Sequence, residues 1–235
     1  MIRTRLAKDR GSFEHGWLKT HHSFSFADYY DPAHLGFKTL RVINEDFISP
    51  AQGFGTHGHR DMNIITYIVS GTLEHKDSMG TGAQISAGEW QYMSAGSGVE
   101  HSEFNPSQTT SVHLFQIWIK PNVHSAKPRY DQLKKSNEDS FWRVVASSEE
   151  KVGQIRLDQN AVVTHVKFKA GEVKAYQPKK GASVWIQMVK GSLQVNSTEI
   201  SAGDGLAIEG EDTLNLNPSG EANEKRPEFI LFELF

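Results

Sequence analysis

Two stretches of the chain share one frame. ITYIVSGTLE at 65–74 and WIQMVKGSLQ at 185–194 match valine, glycine and leucine at Val69 and Val189, Gly71 and Gly191, Leu73 and Leu193. ISAG then occurs at 85–88 and again at 200–203, so the offset between copies changes from 120 to 115 residues across a hairpin, where a change of length costs little. Such a duplication constrains a chain of 235 residues to two copies of one architecture. Between the copies, SAKPRYDQLKKSNEDS at 125–140 is polar and charged and reads as a linker, which sets the expected domains at 1–136 and 137–235.

Each copy is expected to be all-β. Apolar runs are short and end at turn residues: an extended segment over 56–69 stops at Gly71, SMGTG at 78–82 signals a hairpin, WQYM and VEHSEF follow between glycine turns, and VHLFQIWI at 112–119 ends before Pro121. Many short strands joined in this way form a β-sandwich or a jelly-roll barrel. The net charge of -3 supplies no basic stripe, so no direct nucleic-acid partner is expected. Zero cysteines exclude disulfides, thiolate metal sites and cysteine nucleophiles. The opening MIRTRLAKDRGSFEHG lacks the apolar core of a signal peptide, and no stretch approaches the roughly 20 apolar residues of a membrane span. The expectation is a cytoplasmic monomer without membrane contact.

The chemistry is concentrated between residues 53 and 105. His57 and His59 stand two apart on one expected strand, and His101 and Glu103 two apart on another, so each pair shares a face. Where the faces meet, three imidazoles and one carboxylate form a nitrogen and oxygen site for one divalent first-row metal. Four protein ligands leave two octahedral positions open, which suits Fe(II) with dioxygen and a chelating substrate; Ni, Co, Cu, Mn or Zn can take its place. Carrying the four ligands through the repeat gives Gln177, Lys179, Leu216 and Pro218, so the second copy is expected to hold no metal. His21, His22 and His75 read as supporting or surface groups, and Arg60 and Asp61 as an exposed charge pair. Phe24, Phe26, Trp90, Tyr92 and Phe104 either fill the barrel or flank a flat aromatic substrate.

The stretches FSFADYYDP, LRVINED, QGFGTHGHRDM, EHKDSMG, SAGSGVEHSEFNP, QIWIKP and PRYDQ resemble the pirin family of the cupin superfamily, specifically its bacterial bicupins described as quercetin 2,3-dioxygenases. The resemblance covers nearly all of 10–131 and implies two jelly-roll barrels packed face to face in one chain. It assigns the metal to His57, His59, His101 and Glu103, makes iron the first choice, and implies flavonol and dioxygen as substrates, with Glu103 as the catalytic base. The implied reaction opens the flavonol's central ring and releases carbon monoxide. The alternative it carries is a redox-sensitive binding or regulatory module without turnover. Two positions depart from the family pattern: Asn63 stands where most members carry glutamate, and Gly58 where they usually carry proline.

Overall fold

The computed structural model describes residues 1–149, 151, 154–219 and 226–235. Among them the only helical turn is a 3-10 segment at Ala7–Asp9, and all other regular structure is antiparallel strand. No helix is long and apolar enough to cross a membrane.

The chain divides into two compact units, Gly11–Lys135 with Glu149–Gln159, and Met1–Arg10 with Ser136–Ser148 and Asn160–Phe235. Each is a cupin barrel of two sheets. In the first, a seven-stranded sheet sets Arg129–Leu133, Trp90–Ser94, Asn63–Ser70, Val112–Ile119, Leu40–Ile48, Leu18–His22 and Gly11–Glu14 side by side, and a four-stranded sheet sets Gly53–His59, Val99–Phe104, Thr72–Asp77 and Gly82–Ser86 side by side. In the second, Ile2–Arg5, Gly205–Ile208, Ser183–Lys190, Glu228–Leu234, Ala161–Lys167 and Phe141–Ser147 repeat the first six places of that order, and Lys174–Tyr176, Leu214–Ser219, Ser192–Val195 and Thr198–Ser201 repeat the smaller sheet. The duplicated glycines hold matching turns: Gly71 and Gly191 have φ of 81° and 71°, and Gly88 and Gly203 have 84° and 85°. Only glycine takes that conformation at no steric cost.

The units differ from a single cut between 136 and 137 in two pieces, the first ten residues and Glu149–Gln159. Ile2–Arg5 pairs along Gly205–Ile208, occupying the edge position that Arg129–Leu133 occupies in the other barrel. The start of the chain thus completes the second sheet.

Register shows where the copies diverge. Along Asn63–Ser70, the inward face carries Ile64, Thr66 and Ile68, with Thr66 opposite Gln116 on one side and Gln91 on the other. The matching face of Ser183–Lys190 carries Val184, Ile186 and Met188, with Ile186 opposite Leu231 and Leu206. All five of those residues belong to one continuous apolar cluster. In the first barrel, two apolar clusters, one around Ile68 and one around Ile64, flank a polar middle. An interior that spends buried volume on amides and a hydroxyl forgoes hydrophobic stabilisation there, about 25 cal/mol per Å² of apolar surface, so the polar middle has a purpose other than stability.

The same ladders correct the carry-over of the ligand positions. His75 lies opposite Glu103, and its counterpart Val195 lies opposite Leu216. His101 lies opposite His57, and the corresponding pair in the second unit is Leu214 and Tyr176. The counterparts of His57, His101 and Glu103 are therefore Tyr176, Leu214 and Leu216; Gln177 and Pro218 fall out of step because the loops between strands differ in length. Leu214 and Leu216 are fully buried in the apolar cluster, which Tyr176 packs against.

Candidate metal centre

His57 and His59 come from Gly53–His59, which pairs with Val99–Phe104 in a shifted register: His101 faces His57, but Glu103 faces Phe54. The first strand therefore holds one extra residue in the interval between the two ligand positions, a β-bulge. Strict alternation would put Phe54 and His57 on opposite faces; the bulge brings both to the same cavity, with ring centroids 6.4 Å apart. Close approach of the strands needs glycine at 53, where a Cβ would lie 2.2 Å from the carbonyl oxygen of Glu103. Gly58 is different: a Cβ there meets nothing closer than 3.9 Å.

The tautomers are set by fixed partners. The Nδ1 of His57 lies 2.8 Å from the carbonyl oxygen of Gly55, which can only accept, so His57 donates through Nδ1 and leaves its Nε2 lone pair free. His75 Nε2 lies 2.9 Å from the Asp77 carboxylate, and its Nδ1 lies 3.5 Å from Nδ1 of His101. A neutral His75 that donates to Asp77 offers a lone pair at Nδ1, which orients the Nδ1–H of His101 towards it. The remaining His101 nitrogen, Nε2, is buried and has no hydrogen-bond partner. Such an orphaned lone pair is costly without a ligand and is what a metal requires.

The ligand atoms of His57, His59 and His101 lie within 4.8 Å of one another, and so do those of His75, His101 and Glu103; among the described residues these are the groups that could hold a metal ion. His101 is common to both. Three of the four sequence-predicted ligands thus form one group, and Glu103 joins it through His101. Burial and the neighbouring His57 hold the His59 imidazole down to about pKa 4, and burial with His57, His59 and His75 holds His101 down to about 3. Both are neutral near pH 7, so uptake of a cation requires no proton to leave them. Burial raises the Glu103 carboxyl, against the opposing effect of its hydrogen bonds. Gln91 Nε2 donates to one carboxylate oxygen at 3.0 Å and Gln116 Nε2 to the other at 2.9 Å. These amides occupy the polar middle of the barrel.

His75, which the sequence left between a supporting and a surface role, is the supporting group; His75 and Asp77 obey the same two-residue spacing as the ligand pairs. It is fully buried and stacks on Tyr130 with centroids 4.8 Å apart. With Nε2 committed to Asp77, it orients His101. His75→Ala is expected to weaken metal affinity about 10- to 100-fold while leaving stoichiometry intact at saturating metal, measured by competition with a chelating dye. An unchanged affinity would remove His75 from the site.

Comparison with known proteins places the chain. Residues 3–119 match the family model described as Pirin, and residues 144–234 match the one described as Quercetinase C-terminal cupin domain. Over 234 residues the chain is 43% identical to a quercetin 2,3-dioxygenase of Escherichia coli strain K12, covering 100% of this chain and 99% of that one. The chain belongs to the pirin family. A pirin-like protein of Caulobacter vibrioides is 35% identical over 215 residues, covering 90% of this chain and 92% of that one. The crystal structure of the bacterial pirin YhhW from Escherichia coli in complex with nickel(II) superposes with a TM-score of 0.94 at 43% identity, covering 100% of this chain and 99% of that one.

In this pirin the donor set fits a divalent first-row ion: three imidazoles form one group, the buried Nε2 of His101 has no hydrogen-bond partner, and His101 is also grouped with the Glu103 carboxylate. His57 and His59 open onto a cavity of about 400 Å³, walled by Leu18, Phe26, Phe54 and Trp118, with His15, His22, Thr20, Asn44, Asp46, Glu103 and Gln116 in its polar lining. Of the aromatic residues singled out in the sequence, Phe26 lines the cavity, Phe24, Trp90 and Tyr92 are buried, and Phe104 is exposed. Asn63 is buried and accepts a hydrogen bond from the Tyr92 hydroxyl at 2.8 Å; it belongs to neither metal group. Asp61 accepts a backbone hydrogen bond from Ser125 and faces His124.

Asp46 is a carboxyl that the sequence did not single out. Burial raises it to about 7, against the lowering effect of its bond from Thr20, with Glu103 and Glu45 adding to the rise. Its folded pKa exceeds the ordinary value of 3.8, so the folded chain keeps a proton that the unfolded chain releases, and stability is lost as pH rises from about 4 through about 7. Asp46→Asn removes this loss. The stability of the metal-free variant is expected to gain on that of wild type between pH 5 and pH 8, by an amount on the order of a few kcal/mol, read from thermal melts across that range. A difference that stays flat with pH would show that Asp46 is ionised throughout.

Proposed function

We propose that this pirin is a dioxygenase that opens the central ring of flavonols such as quercetin with O₂, giving a ring-opened ester and carbon monoxide. The observation that carries the reading is that His57, His59 and Glu103 line one largely apolar cavity, with His101 grouped both with the two histidines and with Glu103. The full-length likeness to a protein named quercetin 2,3-dioxygenase supports it. His57, His59, His101 and Glu103 would hold one divalent ion, with iron as first choice and nickel, which YhhW holds in its crystal structure, as an alternative. When bound, that ion lowers the pKa of a chelated flavonol hydroxyl and couples the activated ring to dioxygen.

The chain's own residues supply the rest. Glu103 accepts the proton of the 3-hydroxyl. Gln91 and Gln116 fix the carboxylate. Phe26, Phe54 and Trp118 flank a flat aromatic ring and exclude water. Across the whole reaction, O₂ adds both its atoms to the flavonol, one ring carbon leaves as carbon monoxide, and no external reductant is consumed.

The test is to load the protein with Fe(II), Ni(II), Co(II) or Mn(II), add quercetin in air, and follow its visible absorbance together with carbon monoxide. Loss of quercetin matched by carbon monoxide, above the rate with free metal, is the expected result. If no metal form does this, the dioxygenase reading fails and the redox-sensitive binding module takes its place.

A further inference from the structure

The cavity has a feature that metal binding and ring opening leave unused. Asn44 and Asp46 lie two apart on Leu40–Ile48 and both line the cavity, together with Thr20, the cross-strand neighbour of Asp46. Both are about 3% exposed. The Asn44 side chain makes no hydrogen bond within the described protein, and its Oδ1 is buried without a partner. Asp46 receives one bond, from the Thr20 hydroxyl to Oδ1; Oδ2 has no hydrogen-bond partner among the described residues. Asn44 lies opposite Gln116, which in turn holds Glu103, so the strip begins beside the candidate metal centre and runs away from it along the strand.

A buried amide oxygen with no partner, beside a carboxyl with one oxygen left over, is costly at the wall of a largely apolar cavity unless a ligand completes it. The groups they can satisfy are hydroxyls, which both donate and accept: a hydroxyl donates to Asn44 Oδ1 or Asp46 Oδ2 and accepts from Asn44 Nδ2. Leu18, Phe26, Phe54 and Trp118 require the rest of the ligand to be apolar and allow it to be flat.

We infer that Asn44 and Asp46 are specificity-determining residues that bind ring hydroxyls of a polyhydroxylated aromatic substrate, apart from the edge that faces the metal ligands. The inference rests on the flavonol reading and adds to it a reason for preferring hydroxylated rings. A site built to bond a hydroxyl rejects the analogue lacking it, because its buried polar groups then stay unpaired.

The test compares quercetin with 3-hydroxyflavone, which keeps the 3-hydroxyl and 4-carbonyl but lacks the other hydroxyls. Dissociation constants are measured anaerobically on nickel-loaded protein by quenching of tryptophan fluorescence, for wild type, Asn44→Leu and Asp46→Leu, with metal content and circular dichroism confirming the fold. Asp46→Asn, which keeps a polar group, serves should Asp46→Leu fail to fold. Wild type is expected to prefer quercetin, and each leucine variant to lose about 3- to 10-fold of that preference. Asp46→Asn retains part of it. Equal affinities in wild type, a preference unchanged in the variants, or no binding of either compound would overturn the inference. If wild type discriminates between the two but consumes neither in air, the dioxygenase reading fails and the hydroxyl-binding strip stands; if it consumes quercetin while the variants keep the preference, the reverse holds.

Discussion

His101→Ala is expected to yield a folded chain that retains less than about a tenth of an equivalent of metal after dialysis, where wild type holds about one. His101 belongs to both groups that could hold an ion, so its loss leaves two imidazoles on a bulged strand and a carboxylate that joins them only through the missing residue. The cost to the fold is limited. The truncated ring opens a cavity worth about 1–3 kcal/mol, but it also removes a buried nitrogen that has no partner in the metal-free protein. Plasma emission and a thermal melt on the same sample check both halves. His124→Ala, at an exposed histidine facing Asp61, is the matching control and keeps its full equivalent.

Glu103→Gln is expected to separate chemistry from metal content. Turnover of quercetin falls about 100- to 10,000-fold while bound metal changes less than about twofold, because an amide oxygen can still face a cation but cannot take up the substrate's proton. The substitution also disturbs its surroundings in a defined way. Both carboxylate oxygens of Glu103 accept from glutamine amides, and the substituted side chain would turn its own NH₂ against one of them. Relief requires Gln91 or Gln116 to flip, which gives up the bond from Tyr130 to Gln91 or from Trp118 to Gln116. A loss of about 1–2 kcal/mol of stability follows. If metal and turnover vanish together, Glu103 acts as a ligand alone and the base is another group.

Much of this was legible in the sequence because period-two alternation and turn glycines are local signals. The His57–His59 and His101–Glu103 spacings pointed to the candidate site, and the matched Gly71 and Gly191 turns to the duplication. What escaped depends on register. The bulge that turns Phe54 towards His57 adds one residue to a strand, which no periodicity reveals. The constant offset carried His57 to Gln177, whereas the ladders put Tyr176 there, because loop lengths accumulate differences that only strand pairing resolves. Thr66, Gln91 and Gln116 look like ordinary strand residues until pairing shows them side by side in the barrel. His75 and Asp77 satisfied the spacing rule but lay on a third strand, and spacing does not tell which strands are neighbours.

One measurement bears on the candidate centre most directly: anomalous scattering from crystals of the chain loaded with nickel or iron. One strong peak per chain is expected, within coordination distance of His57, His59, His101 and Glu103, with His75 still paired to Asp77. A peak that coordinates His75 in place of His57 and His59, or a protein-ligated peak beside Tyr176, Leu214 and Leu216 in the second barrel, would contradict it.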